Sequence, residues 1–463
     1  MTTATHSIAT QAGSTWATGT NGSENDVSSA LRFITCGSVD DGKSTLIGRL
    51  LVDSRSVMQD QLANVSKSGE ADLALFTDGL SAEREQGITI DVAYRYFATP
   101  ARKFIIGDAP GHEQYTRNMV TAASSAHAAV VLVDATKLKW NVDGLVDLLP
   151  QTRRHSLLVN LLRVPSIIFA VNKLDALGDD AAKAFAKITE ALNTFAAQAG
   201  ITVTATIPMS ALKGHNVVTA SPGWCGYTGP SLLALLETLP VTAAETDVPF
   251  AFPVQWVEKF HNSADTTQGR RVFWGRVATG SVKPGDTVSI LPSGQTAVVA
   301  QVLDHARVPK NVAAGHGAGI TLDREVDVSR GDWLLAHTPA AIAASDDDFA
   351  DNAPAAGVFQ PTRDIKATVA WMDDEPLVAG RVYLALHGHR WIKAKVKRIV
   401  HSLDINTLQE HDATQILPNA IGHIELALQE PIAALPYLQS RVLGSLILVD
   451  TASHKTSGAL LLN

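Results

Sequence analysis

Short apolar runs alternate with amphipathic stretches through the first half of the chain. Between residues 172 and 202, Phe185, Ile188, Leu192 and Phe195 recur at the spacing of one helical face, and Gly200 marks the end of that helix. This alternation predicts a doubly wound, mainly parallel α/β sheet, with ligand-binding loops at the carboxyl ends of its strands. The predicted strands are Leu31–Cys36, Lys103–Asp108, Ala128–Asp134, Ser166–Asn172, residues 202–208 and an edge strand at 92–97.

The pattern changes after Pro240, where helical periodicity gives way to short β-rich runs separated by Gly, Pro and Asp. Such spacing predicts two small all-β barrels, the first containing a hairpin made of residues 271–277, a turn at Gly280 and residues 282–288. The acidic run 346–348 is interpreted as part of a solvated linker and not as a metal site. The predicted divisions are a disordered tail at 1–30, an α/β domain at 31–245, a barrel at 248–338, a linker at 340–357 and a second barrel at 358–463.

A glycine-rich segment follows the first predicted strand and opens a helical pattern, and it fits the phosphate-binding P-loop G-x-x-x-x-G-K-[ST]. Glycines allow backbone N–H groups to turn toward phosphate oxygens, and the helix N-terminus favours negative charge. Lys43 is suited to the outer phosphates and the Ser44 hydroxyl to Mg²⁺. The alternative is a purely structural glycine turn, which does not account for the Lys-Ser pair. The predicted phosphate-binding residues are Gly37, Ser38, Val39, Asp40, Asp41, Gly42, Lys43, Ser44 and Thr45.

An Asn-Lys-x-Asp tetrapeptide ends the strand Ser166–Asn172 and predicts that the nucleotide base is guanine. The Asp175 carboxylate can accept hydrogen bonds from both the ring N–H and the exocyclic amine of guanine, a match that adenine cannot make. Asn172 is expected to join this loop to the P-loop, Lys173 to cover one face of the base, and the Ala211 N–H to meet the guanine carbonyl. The alternative is a simple strand-ending turn. The predicted base pocket consists of Asn172, Lys173, Leu174, Asp175, Ser210, Ala211 and Leu212, with Lys213 completing Ser-Ala-Leu-Lys.

A third segment, Asp108-Ala109-Pro110-Gly111-His112, ends another predicted strand. Asp108 is expected to hold Mg²⁺ through water, and the Gly111 N–H to contact the γ-phosphate. Thr89, in the long loop before the edge strand, is the expected second hydroxyl ligand of Mg²⁺.

His112 occupies the place where a GTPase needs a residue to position the attacking water, which makes it a predicted catalytic residue together with Lys43 and Thr89. The alternative is a surface histidine on the following helix. Other histidines, including His155, lack a partner at useful spacing and are interpreted as structural.

Composition narrows the class of protein. The chain has 463 residues, 46% of them hydrophobic, which predicts two to four globular domains. A net charge of −8 and a pI near 6.0 argue against a surface built mainly for nucleic acid. The two cysteines, Cys36 and Cys225, can form neither a disulfide framework nor a cysteine-based zinc site, which suits the cytoplasm. Neither a leader nor a membrane-spanning run is expected.

Together these segments resemble the translation-factor class of GTPases, over roughly residues 31–460. Within that class, four stretches are similar to the large GTPase subunit of bacterial sulfate adenylyltransferase: residues 37–45, 83–97, 108–119 and 151–156. The segments at 404–406, 417–419 and 421–422 also resemble the C-terminal barrel of that family. Elongation factors typically have His-Val-Asp-His and Asp-Cys-Pro-Gly-His at the first and third of these stretches, so a translation factor that carries aminoacyl-tRNA is the weaker alternative.

The resemblance implies that GTP and Mg²⁺ are bound and that GTP hydrolysis drives a smaller catalytic subunit. That partner joins ATP and sulfate into adenosine 5′-phosphosulfate and pyrophosphate, in a heterodimer or an assembly of heterodimers, without nucleic acid or membrane. It also implies an apolar gate of Val39 and Ile88 beside His112. The chain departs from the family pattern in two ways. Residues 135–150 form a longer excursion than is usual, and this excursion is expected to lie at the surface. Some family members continue into a kinase domain with its own P-loop, but this sequence contains no second P-loop motif, so kinase activity is not expected.

Overall fold

The computed structural model describes residues 30–54, 91–112, 115–140, 146–259, 271–337 and 359–463. The predicted tail apart from Ala30, the predicted linker 340–357 and the acidic run within it lie outside the described residues, and so do Ile88 and Thr89. Within the described ranges, no helix combines the length and the hydrophobicity that crossing a bilayer requires.

A mainly parallel sheet forms the centre of the first domain. Its strands, with two short ones, are β1 (Leu31–Cys36), β2 (Ala93–Ala98), β3 (Lys103–Asp108), β4 (Ala128–Asp134), β5 (Lys139–Trp140), β6 (Val146–Asp147), β7 (Ser166–Asn172) and β8 (Val203–Pro208). The sheet order is β2-β3-β1-β4-β7-β8. All neighbours are parallel except β2, which pairs antiparallel with β3 at the edge. The predicted α/β fold class is therefore confirmed, and each predicted strand lies within one residue of its observed position.

Helices cover both faces of this sheet. They are α1 (Lys43–Asp53), α2 (Thr116–Ser124), α3 (Pro150–Leu161), α4 (Ala181–Gln198) and α5 (Leu232–Thr238). Because side chains alternate between faces along a strand, adjacent residues of β1 belong to different cores. Ile34 packs in a cluster with residues of α2, α3 and α4, whereas Phe33 packs in a cluster with residues of α1 and α5. Two cores on opposite faces are the mark of a doubly wound domain.

The excursion at 135–150 is anchored in the core, and is not confined to the surface as predicted. Strands β5 and β6 pair antiparallel, and residues 141–145 between them lie outside the described residues. Leu138 and Leu148 flank this pair, and both are buried in the cluster that contains Ile34. The length of the excursion alone does not reveal that a buried leucine lies on either side of its strand pair.

The second domain is a closed six-stranded barrel. Its strands are β9 (Ala251–Lys259), β10 (Arg271–Arg276), β11 (Thr287–Leu291), β12 (Thr296–Leu303), β13 (Gly317–Leu322) and β14 (Trp333–Ala336), in the order β10-β13-β12-β11-β14-β9. Strand β10 pairs with β9 and β13, so the predicted hairpin of 271–277 with 282–288 is wrong. Pro284 has no N–H to donate, and residues 283–286 form a turn in which Asp286 N donates to Lys283 O at 3.2 Å.

The third domain is also built from antiparallel strands. They are β15 (Pro361–Trp371), β16 (Leu377–Val378), β17 (Val382–His387), β18 (Arg390–Leu403), β19 (Glu410–His411), β20 (Gln415–Ile416), β21 (Ile421–Ala433), β22 (Ser445–Asp450) and β23 (Thr456–Leu462). The main sheet has the order β17-β22-β23-β15-β21-β18-β19, and an additional pairing of β17 with β18 closes the ring. The prediction of two all-β domains after the α/β domain is thus confirmed.

The three domains contact one another through buried groups. Met372 and Ile421 of the third domain join the core cluster that contains Ile34. Between the two barrels, Arg390 Nη1 lies 2.7 Å from Asp332 Oδ1, and Gln255 Nε2 lies 2.9 Å from His389 Nε2. These contacts attach the third domain both to the domain that carries the P-loop and to the second domain.

Candidate functional site

The P-loop lies between β1 and α1, at the carboxyl edge of the sheet. Helix α1 begins at Lys43, and its N-cap Gly42 has a left-handed φ of 93°. A Cβ at Gly42 would collide with the side-chain amide of Asn172. The glycine is therefore required both by its backbone conformation and by the close approach of the base-recognition loop.

Lys43 is the buried cation of this loop, with only 7% of its surface exposed. Its Nζ donates to Gly37 O at 3.1 Å and to Ser38 O at 2.7 Å. Burial lowers the pKa of Lys43, and the charges of Asp108 and Asp41 partly oppose that shift. A largely desolvated ammonium interacts strongly with an arriving anion, as a phosphate-binding lysine must.

The segment 108–112 lies directly against the P-loop. Asp108 is buried, and its Oδ1 accepts a hydrogen bond from Thr35 Oγ1 at 3.1 Å. A Cβ at Gly111 would lie 2.6 Å from Lys43 Nζ and 2.8 Å from Val39 N, so only glycine fits here. The backbone around Ala109, Pro110 and Gly111 is thereby brought beside the phosphate-binding lysine.

His112 follows Gly111 and is half-buried. Its Nε2 is buried and has no hydrogen-bond partner among the described residues. The ring meets Tyr115 edge-on, with 6.3 Å between ring centroids. The structure thus places an unpaired imidazole nitrogen at the end of the segment that touches Lys43. Its predicted gate partner Ile88 lies outside the described residues.

Asn172 connects the P-loop to the loop after β8. Its Nδ2 donates to Asp41 O at 2.8 Å, and its Oδ1 accepts from Ala211 N at 2.9 Å. The expectation that the Ala211 N–H is available for the guanine carbonyl is therefore wrong for this structure, because that N–H is engaged by Asn172. A side chain with one donor and one acceptor is required to bridge a carbonyl and an N–H.

Lys173 and Asp175 continue the base loop. Lys173 Nζ donates to Asp40 O at 2.6 Å and lies 2.8 Å from Asp134 Oδ2. Burial raises the pKa of Asp134, but hydrogen bonds from Lys173 and Thr136 outweigh burial and lower it overall. Asp175 is half-buried at the start of the 3-10 turn Leu174–Asp180. The ammonium of Lys173 is thus anchored to the P-loop through Asp40 O.

The loop at 210–213 is held by a side chain that the sequence reasoning missed. Arg49 of α1 donates from Nε to Ala211 O at 3.1 Å, and its Nη2 donates to Leu212 O. Ser210 is fully buried, and its Oγ accepts from Lys213 N at 3.0 Å. The role of Arg49 is not predictable from a sequence motif, because its partners are backbone carbonyls of residues far along the chain.

His155 of α3 is a second missed residue, and the prediction that it lacks a partner is wrong. Its Nδ1 accepts the backbone N–H of Gly37 at 3.0 Å, and its Nε2 lies 2.8 Å from the side-chain amide of Gln151. Burial, with the charge of Lys43, lowers the pKa of His155 to about 3. A neutral imidazole therefore supports the first glycine of the P-loop. The sequence signal was the Gln-Thr-Arg-Arg-His-Ser stretch, in which Gln151 and His155 lie one helical turn apart.

Lys137, at the start of the excursion, also reaches the P-loop. Its Nζ donates to Val39 O and lies 3.4 Å from Asp41 Oδ1. Burial raises the pKa of Asp41, while the charges of Lys43 and Lys137 oppose this. The ammonium of Lys137, which belongs to none of the predicted motifs, therefore helps to hold the P-loop in place.

Comparisons with known proteins agree with this geometry. Residues 28–244 match the family model described as the elongation factor Tu GTP binding domain, and residues 364–460 match the GTP-eEF1A C-terminal domain-like model. A match to a GTP-binding domain implies GTP binding by the first domain. The matched ranges contain every predicted site residue of the chain.

Full-length relatives extend the comparison over nearly the whole chain. Sulfate adenylyltransferase subunit 1 of Laribacter hongkongensis is 42% identical over 93% of this chain and 84% of its own length. The protein of that name from Tolumonas auensis is 44% identical over 93% of this chain and 86% of its own length. The bifunctional enzyme CysN/CysC of Xylella fastidiosa is 44% identical, and the match spans 94% of this chain but 66% of that protein. By identity and coverage, this chain belongs to the sulfate adenylyltransferase subunit 1 family of GTPases, with a nucleotide domain of the elongation factor Tu type.

Proposed function

We propose that this chain hydrolyses GTP at the P-loop and that the hydrolysis drives a partner subunit that activates sulfate. The observation that carries the proposal is the bridge made by Asn172, which holds the loop before α1 and the loop after β8 together. A phosphate-binding element and a base-recognition element in one site are what a guanine nucleotide requires. Membership of the subunit 1 family supports sulfate activation as the process that is driven.

The phosphates of GTP fit the segment 37–45. Glycines at positions where a Cβ would collide with neighbouring groups leave backbone N–H groups accessible to phosphate oxygens. Lys43 would exchange one of its carbonyl partners for the β- and γ-phosphates. Asp175 would accept the two guanine donors, while Lys173 would cover the base from the side of Asp40.

The residues near the phosphates also fit Mg²⁺, which favours oxygen ligands. The Ser44 hydroxyl in the first turn of α1 and the buried carboxylate of Asp108, through water, would hold the ion. The role of Thr89 as a further ligand stays a prediction, because that residue lies outside the described ranges. Bound Mg²⁺ would neutralise charge on the β- and γ-phosphates.

His112 is the proposed residue that positions water. The oxygen of that water would attack the γ-phosphorus as the bond from the γ-phosphorus to the bridging oxygen breaks, giving GDP and inorganic phosphate. The buried Nε2 of His112, unpartnered among the described residues, supports this role, since it is available to hold one water. Lys43 and the Gly111 N–H would stabilise the γ-phosphate oxygens as charge redistributes.

The reaction that is driven would occur on a smaller catalytic subunit. There, a sulfate oxygen would attack the α-phosphorus of ATP and displace pyrophosphate, which forms adenosine 5′-phosphosulfate. That exchange is strongly uphill, so coupling it to GTP hydrolysis would make it proceed. The sequence of this chain carries one P-loop motif, which supports the assignment of ATP chemistry to the partner.

The test is GTP hydrolysis by the purified chain, alone and with the small subunit, ATP and sulfate. Strong stimulation by the complete mixture, together with adenosine 5′-phosphosulfate, is the expected result. A mixture without sulfate is the matched control, and its rate of GTP hydrolysis should stay close to that of the purified chain alone. Stimulation by ribosomes, with none by the sulfate mixture, would make the protein a translation factor instead.

A further inference from the structure

Two histidines and a glutamate meet on the third domain, away from the P-loop. His401 of β18 and His423 of β21 are direct register partners, and their ring centroids lie 4.3 Å apart. Glu410 of β19 pairs with Leu403, two residues along from His401, so it shares the face of His401. His401 Nε2 lies 3.0 Å from Glu410 Oε1, and one donor atom from each of the three residues lies within 4.8 Å of the others.

The tautomer of His423 is set by its neighbours. Thr368 Oγ1 donates its proton to Asn463 Oδ1 at 3.0 Å and lies 2.9 Å from His423 Nε2. Because the hydroxyl proton is already used, Thr368 accepts from Nε2–H, which leaves the lone pair on Nδ1. That Nδ1 is buried and has no hydrogen-bond partner among the described residues. A buried, unprotonated imidazole nitrogen whose other nitrogen is fixed by a hydrogen bond is the usual state of a metal-ligating histidine.

We propose that His401, Glu410 and His423 bind a divalent transition-metal ion, with Zn²⁺ as the best fit. Two imidazole nitrogens and one carboxylate oxygen are typical zinc ligands, and a water would complete a tetrahedron. Zinc bonds of about 2.0–2.2 Å place tetrahedral donors roughly 3.3–3.6 Å apart, so the three donors need to move by only about an ångström. The cluster uses no cysteine, which is why the cysteine count did not point to it.

The position of the cluster suggests what the metal would do. The segment 404–409 leaves β18 just after His401 and enters β19 at Glu410. Ile405 and Leu408 of this segment pack against the core of the first domain, and Arg153 Nη1 of α3 donates to Asn406 O at 3.4 Å. A metal bound by residues on both sides of the segment would fix the part of the third domain that touches α3.

The test is calorimetric titration of Zn²⁺ into the metal-stripped full chain, with its nucleotide site saturated by GDP and Mg²⁺. We expect one equivalent of Zn²⁺ to bind and to raise the unfolding temperature. His401→Gln and His423→Gln should each weaken that binding by about tenfold or more, and Thr368→Val should weaken it less, through loss of the fixed tautomer. His411→Gln is the matched control, because His411 is exposed on the same short strand, next to Glu410.

GDP binding by each variant reports whether it is folded. Should a histidine variant fail to fold, Glu410→Gln at an exposed position takes its place, again with weaker Zn²⁺ binding expected. Failure of the unaltered chain to bind Zn²⁺ would overturn the proposal and leave only a polar contact between His401 and Glu410. Equal Zn²⁺ affinity in the unaltered chain and the ligand variants would also overturn it, since the ion would then be bound elsewhere.

Discussion

At the scale of single residues, a variant of His112 is expected to lose GTP hydrolysis without losing GTP binding. His112→Ala removes the imidazole that would hold the attacking water but leaves Lys43 and its backbone contacts intact. We expect GTP turnover to fall by about 100-fold or more, with GTP affinity changed little. Single-turnover hydrolysis and nucleotide titration measure the two quantities separately. A loss of affinity equal to the loss of rate would mean that His112 serves binding or folding instead.

Asp175 tests the choice of base. In Asp175→Asn, one of the two acceptor oxygens becomes an amide that donates, so guanine loses a hydrogen bond and faces a donor. Xanthine presents a carbonyl where guanine has its amine and matches the new side chain. We expect the affinity for GTP to fall by about tenfold or more, with a gain for xanthosine triphosphate. Unchanged preference for GTP would show that another residue recognises the base.

The residues of the site were predictable where they belong to a motif and unpredictable where they only support one. Lys43, Asp108 and Asn172 follow from residue type and spacing, and the contact of Asn172 with the P-loop was anticipated. His155 and Arg49 contact backbone groups of distant segments. Because nearly every residue offers the same backbone groups, the sequence does not indicate which of them these side chains contact. For the same reason the sequence did not reveal that the Ala211 N–H is taken by Asn172.

At the scale of elements, helix α3 supports the P-loop through a histidine that stays neutral. The pKa of His155 in the folded chain is about 3, below the value near 6.5 of an unfolded histidine. Between these values the unfolded chain binds a proton and the folded chain does not. The contribution of His155 to stability is therefore complete above about pH 6.5 and is lost progressively as the pH falls toward 3.

This dependence of stability on pH leads to a prediction for a variant of His155. His155→Gln retains an amide oxygen to accept from Gly37 but has no group that titrates, so its free energy of unfolding should depend less steeply on pH between about 6.5 and 4. The difference from the unaltered chain is at most about 1.4 kcal/mol per pH unit. Denaturant unfolding at several pH values measures it. His316→Gln, at an exposed position, is the control. If the free energy of unfolding depends on pH equally steeply in His155→Gln and in this control, the neutral buried state of His155 is contradicted.

Strand positions and strand partners differ in how far they can be predicted. The parallel strands of the first domain are continuous apolar runs, because both faces are buried, and their bounds were found within a residue. The error at β10 concerned pairing: its partners β9 and β13 are set by closure of the barrel. The local alternation of apolar and polar residues does not encode such closure. It therefore suggested, as the hairpin partner, the next segment along the chain, which contains Pro284.

At the scale of the whole molecule, Tyr437 joins the third domain to the first. Its ring is buried, and its Oη donates to Leu162 O at the end of α3, at 3.1 Å. Arg163 Nη1 donates to Tyr437 O at 2.5 Å and lies near the ring, while Arg441 donates to Arg163 O. These contacts follow directly on α3, the helix that supports Gly37 through His155. The interface and the phosphate-binding loop are thus attached to the same helix.

Removing this side chain should therefore destabilise the attachment of the third domain to the first. Tyr437→Ala deletes a buried ring and should destabilise the chain by about 3 kcal/mol, whereas Tyr437→Phe loses only the bond to Leu162 O and should cost about 1 kcal/mol. With the interface weakened, the third domain should unfold at a lower temperature than the first, which GDP protects. Calorimetry with and without GDP distinguishes these events. A Tyr437→Ala chain that unfolds like the Phe variant would mean that the domains are held together elsewhere, through Met372 and Ile421.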